Sequence, residues 1–153
     1  MLNPRSDALG LAERTRKNLL FIEGAFERGE DVHVITQVAN SLLMLVVFPW
    51  ERHFVDLVAA VPLSKLADSG WPAWRTTRGS VNTLGDLVRR IRNAAAHGHL
   101  KFSSDSRLLS EVTISLSDYR PHATEPFWSA EILASDLRDF CYRFIDLIDS
   151  HLG

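Results

Sequence analysis

Apolar residues return at helical spacing from the start of the chain. Leu9, Ala12, Leu19, Ile22 and Phe26 share one face, so residues 6–28 are expected to form a helix capped by Ser6. Gly29-Glu30-Asp31 breaks it, and Asp31 is placed to cap the next helix. That second helix should run from Val32 to Phe48, with Pro49 as its stop. It begins amphipathic at Ile35, Ala39 and Leu42. From Leu42 to Phe48 it is apolar all round, the pattern of a central helix or one covered by another subunit. Residues 50–70 read as one or two short helices interrupted at Pro62 and closed at Gly70. Trp71-Pro72-Ala73-Trp74 reads as a loop.

Ser80 is expected to open the most regular helix. Val81, Leu84, Val88, Ile91 and Ala95 form its apolar stripe, and Gly98 terminates it. The period then changes from helical to alternating. Glu111 to Asp118 alternates apolar and polar with β-branched residues, as a half-buried strand does. Pro121 and Pro126 flank a turn, and Phe127 to Leu133 returns as a second strand. Ser135 is placed to cap a last helix with the stripe Leu137, Phe140, Cys141, Phe144, Leu147 and Ile148. The expected fold is mainly α, a single domain over residues 1–153. It is a helical bundle with a small β-hairpin inserted before the last helix.

Composition fits one ordinary globular domain, with 46% apolar and 24% charged residues in 153 positions. The single cysteine, Cys141, forms no internal disulfide and lies on a core stripe. The longest apolar run has seven residues, far below the roughly 20 a bilayer demands. No signal-peptide core follows Met1, so a cytoplasmic location without membrane contact is expected. No P-loop and no metal-ligand spacing among the histidines occurs, so neither cofactor nor metal is expected.

Net charge is −2, which argues against a general nucleic-acid binder, but its distribution is uneven. Residues 75–107 carry seven basic groups (Arg75, Arg78, Arg89, Arg90, Arg92, Lys101 and Arg107) against Asp86 and Asp105. A basic segment in an acidic chain points to a local site for an anion, phosphate included. Within it the regular helix ends Arg90-Ile91-Arg92-Asn93-Ala94-Ala95-Ala96-His97-Gly98-His99. On a helical wheel Arg92 sits on the shoulder of the buried stripe, beside Gly85 and Ala96. Small residues there leave room for another backbone or a second copy of the helix. An imidazole at the helix end exchanges protons near neutral pH, and arginine holds phosphate. Arg, Asn and His at one helix end make a plausible metal-free phosphodiester-cleaving set.

Arg92-Asn93-Ala94-Ala95-Ala96-His97 resembles the R-x4–6-H signature of HEPN domains, including the polar residue after the arginine. The wider stretch Ile91 to Leu100, with a strand following, is similar to plasmid- and mobile-element-encoded members. The resemblance implies a HEPN-like bundle that dimerises through the motif-bearing helices. It also implies a metal-independent endoribonuclease in a toxin or defence role, leaving 2′,3′-cyclic phosphate and 5′-hydroxyl ends. Arg92 and His97 are then the catalytic pair and Asn93 a supporting residue. His99, Arg89 and Lys101 are then substrate contacts. Toxin members often carry H-x-Y here, and His99 stands in place of that tyrosine. Such proteins meet RNA, a second copy of themselves and in some cases an antitoxin or other partner protein.

Each residue also has a plainer reading. Arg92 is placed to pair with Glu51, Asp56 or another acid as a structural ion pair, and His97 to satisfy last-turn carbonyls. Trp71 and Trp74 suit core or interface packing better than base stacking. The alternative to an enzyme is a catalytically silent HEPN module that dimerises and binds RNA, a nucleotide or a protein partner.

Overall fold

A computed structural model describes the backbone of residues 4–51 and 59–152, and side chains over residues 9–46 and 59–150. Helix α1 spans Pro4–Glu27 and α2 spans Val34–Glu51. Pro4 suits a first helical turn, where its missing N–H would lack a partner anyway. Ser6 therefore lies inside α1 rather than capping it. Asp31 does not cap α2 but pairs with Arg107, 76 residues away. The α2 backbone continues past Pro49, because a proline removes one helical hydrogen bond and bends the axis without forbidding passage.

Two turns of helix, α3 (Leu63–Asp68), follow, then strand β1 (Arg75–Arg78) and helix α4 (Leu84–Ala96). Helix α4 starts at a later residue than Ser80. Thr83 is its cap, its hydroxyl accepting from the Asp86 N–H at 3.2 Å. Val81 thus precedes the helix. The buried face is Leu84, Gly85, Leu87, Val88, Ile91 and Ala94, with Ala95 only half-buried.

Strand β2 (Leu100–Phe102), one 3-10 turn at Leu109–Glu111, strands β3 (Thr113–Asp118) and β4 (Trp128–Leu133), and helix α5 (Ala134–Leu152) complete the order. The β3–β4 hairpin forms as expected, with Thr113 opposite Leu133 and Asp118 opposite Trp128. It is not alone, however. β1 adds to β4 and β2 adds to β3, giving a four-stranded antiparallel sheet in the order β1-β4-β3-β2. The flanking strands take up the backbone groups that a two-stranded ribbon leaves bare on its edges.

Alternate residues of β3 and β4 face the helices. Ile114, Leu116, Ala130 and Ile132 join Leu42, Leu45, Ile91, Phe140 and Phe144 in one core. The other face of the sheet is polar, carrying the Ser117–Ser129 hydroxyl pair at 2.9 Å and the Arg75–Glu131 ion pair. Within the apolar stretch of α2, Leu42, Leu45 and Val46 are buried in the chain's own core, while Met44 is exposed. Its lack of a polar face is therefore explained in large part by central packing. No helix among the described residues is long and apolar enough to cross a membrane.

Candidate active site

The end of α4 and the far end of β3 meet in one place. Helix α4 closes on a left-handed glycine, Gly98, with φ +72°. The Gly98 N–H donates to the Ala95 carbonyl at 3.1 Å, and the His99 N–H donates to the Ala94 carbonyl at 2.9 Å. That pair of bonds is the Schellman arrangement, and it satisfies carbonyls the helix end would otherwise leave open. A Cβ on Gly98 would meet nothing within 4 Å, so conformation rather than space requires glycine there.

The turn sets two imidazoles side by side. His97, the exposed C-cap residue, has its ring 6.4 Å from that of His99. His99 is anchored from both sides. Its carbonyl accepts from the Ser117 N–H at 3.1 Å, and its ring packs on Tyr119 with centroids 4.6 Å apart. Its Nδ1 is buried with no hydrogen-bond partner among the described residues.

One helical turn before His97, Asn93 points to the same strand end. Its Nδ2 donates to Asp118 Oδ2 at 3.3 Å, and Arg90 Nη1 donates to that oxygen at 2.8 Å. Asp118 is only 4% exposed, an acid at an inward-facing position of β3. A carboxylate so placed requires charged or hydrogen-bonding partners, and α4 supplies both. Arg90 also lies over the Phe127 ring at 4.5 Å, and Arg120 lies over it at 4.2 Å.

The expected site residues divide accordingly. Asn93, His97 and His99 come together at the helix end. Arg92 does not share their face, since five helical residues turn it about 140° from His97. It is half-buried and engaged in an interaction of its own. Glu51 and Asp56 lie outside the residues whose side chains are described. Arg89 is exposed on α4 and also engaged. Lys101 is exposed on β2, in register with Ser115 on the polar face of the sheet. The space beside Gly85 is filled from within the chain. A Cβ there would stand 2.8 Å from the Ala59 Cβ, so Gly85 admits Ala59 rather than a second helix.

Arg90 stands out in the sequence only as one of seven basic groups, and Asp118, Tyr119 and Phe127 carry no site motif there. A signal for Asp118 existed, as an acid continuing the inward series 112, 114 and 116. Arg90, seven residues before His97, lies about 20° from it on the wheel. Trp71 and Trp74 do pack, edge-on against Phe140 with centroids 5.4 and 5.8 Å apart, and line a cavity of about 280 Å³. Cys141 is fully buried, and burial pushes its thiol well above the usual range, so it stays protonated and inert.

The family model described as HEPN pEK499 p136 matches residues 1–152. No curated protein and no solved structure matches the chain.

Proposed function

We infer, from the premise that this chain belongs to the HEPN pEK499 p136 family, that it is an endoribonuclease working without a metal ion. The observation that carries this reading is the pair of imidazoles 6.4 Å apart at the end of the arginine-rich helix. Two imidazoles at that separation are close enough to serve one phosphodiester, one taking a proton and the other contacting phosphate. His97 takes the proton of a ribose 2′-hydroxyl. The 2′-oxygen then attacks phosphorus, and the bond to the 5′-oxygen breaks. A second group in the cleft returns a proton to that oxygen. The products are a 2′,3′-cyclic phosphate and a 5′-hydroxyl, with no net gain or loss of protons.

In this reading Arg92 stabilises charge on the phosphate, Asn93 supports the site, and His99, Arg89 and Lys101 contact RNA. Arg92 and His97 leave the helix in different directions, and in the proposed dimer the Arg92 of one copy serves the site at the His97 of the other. The helix shoulder at Arg92 and Ala96 is the proposed contact. A toxin or defence role, with or without an antitoxin, fits an enzyme that cuts cellular RNA in the cytoplasm.

A second reading, a silent module that binds RNA, a nucleotide or a protein, is favoured by one observation. The Asn93 amide is already tied to Asp118. Cleavage of cellular RNA in EDTA, beside a His97→Ala variant, separates the two. The enzyme cuts and the variant does not, while a silent module leaves RNA intact in both lanes.

A further inference from the structure

The tip of the β3–β4 hairpin is built more rigidly than a connecting loop needs to be. Arg120, Pro121, His122 and Ala123 close a turn in which the Ala123 N–H donates to the Arg120 carbonyl at 3.1 Å. Proline at the second position and a positive φ at the third are the marks of a type II turn. The third residue is His122, at φ +63°, where glycine or asparagine would be unstrained. The base of the tip is equally fixed. The Phe127 N–H donates to the Asp118 carbonyl at 2.7 Å, and Glu125 pairs with Arg78 at 2.6 Å.

Charge at this tip is unbalanced. Glu125 is spent on Arg78, and Asp118 on Arg90 and Asn93. Arg120 is exposed and has no carboxylate partner among the described residues. Its guanidinium carbon lies over the Phe127 ring, 4.2 Å from the centroid, so the long side chain is pre-positioned rather than free. Its chain neighbour Tyr119 touches His99, whose ring faces His97. Side-chain contacts run from Arg120 over Phe127 to Arg90, and from Arg90 through Asp118 to Asn93, one helical turn before His97.

We propose that Arg120, braced on Phe127 at the hairpin tip, is a subsite for a backbone phosphate of the RNA strand next to the bond cut at His97. The inference rests on the ribonuclease reading for its substrate. Single-stranded RNA is the fitting ligand, because a guanidinium serves both a phosphate and the face of an unstacked base. Exposed His122 adds an imidazole to the same edge.

The test is binding of a single-stranded oligoribonucleotide by the His97→Ala protein, titrated over salt, with and without Arg120→Gln. Loss of one phosphate contact lowers the slope of log affinity against log salt by about 0.7 for a single strand. Arg120→Lys restores the slope, since it restores the charge, and both substitutions are at an exposed position that the core does not use. In the cutting enzyme, Arg120→Gln raises KM several-fold and leaves kcat within twofold. An unchanged slope and unchanged KM overturn the subsite while leaving the ribonuclease reading intact. A lowered slope in a protein that cuts no RNA keeps the subsite and removes the ribonuclease reading. Absence of any salt-dependent binding overturns the subsite outright.

Discussion

Arg90 of α4 reaches Asp118 of β3 across 2.8 Å, and the acid is almost wholly withdrawn from water. This bond joins the motif-bearing helix to the strand whose next residue, Tyr119, packs on His99. It therefore ties the orientation of the helix end to the sheet. Removing the acid leaves a half-buried guanidinium and an amide without their acceptor. Asp118→Ala is expected to lower stability by about 2–3 kcal/mol, below the cost of breaking a fully buried pair because Arg90 keeps some contact with solvent. Urea denaturation measures this, and a loss under about 0.5 kcal/mol would mean the pair is not structural.

Gly98 offers a cleaner perturbation of the site itself. Its φ is +72°, yet an added methyl meets nothing. Gly98→Ala is expected to cost about 1 kcal/mol in stability, the penalty of a left-handed non-glycine residue. Because the same turn sets the spacing of His97 and His99, cleavage should fall tenfold or more while the fold survives. Equal activity in the variant would show that the spacing of the two rings does not matter.

The contact between α1 and α5 carries a pH signature. Tyr142 Oη donates to Glu23 at 2.5 Å, and Arg138 pairs with the same carboxylate. Burial first, and the Glu23 carboxylate second, push the Tyr142 phenol above its ordinary value of 10.0. A group raised by folding contributes its full stability below the unfolded value and loses it as pH climbs through the folded one. Stability should hold up to about pH 10 and decline above it. Tyr142→Phe should remove that alkaline slope. Of the two tyrosines, Tyr119 and Tyr142, absorbance titration should find Tyr142 ionising late. A Tyr142 that titrates at the ordinary value would contradict the buried contact.

Dimerisation is a separate expectation. With Gly85 occupied by Ala59, the exposed part of the α4 shoulder is Ala96, beside half-buried Arg92. Sedimentation at tens of micromolar should give twice the chain mass, and Ala96→Glu should give the monomer and reduce cleavage. A parent protein that sediments as a monomer while cutting RNA would remove the second copy from the mechanism.

Much of this was legible in the chain itself, and the gaps have physical causes. The stripes of α1, α2, α4 and α5 and the alternation of β3 and β4 are strong periodic signals, and each produced its element. β1 is Arg-Thr-Thr-Arg with every residue exposed, and β2 has three residues, so neither carries an alternation to read. They exist because the hairpin has edges to cover, which is a tertiary demand. At the site, Gly98 announced its turn, and the His97–His99 adjacency follows from it. The role of Arg90 was hidden because its partner Asp118 lies 28 positions away. The wheel placed Arg92 on a shoulder, and the same wheel sets Arg90, not Arg92, within about 20° of His97.

Metal-free RNA cleavage is decided by incubating cellular RNA with the purified protein in EDTA, beside Arg92→Ala and His97→Ala, with analysis of the new ends. The expected result is cutting by the parent, 2′,3′-cyclic phosphate and 5′-hydroxyl ends, and a loss of at least about a hundredfold in each variant. Equal cutting by parent and variants, or ends carrying a 5′-phosphate, would contradict it.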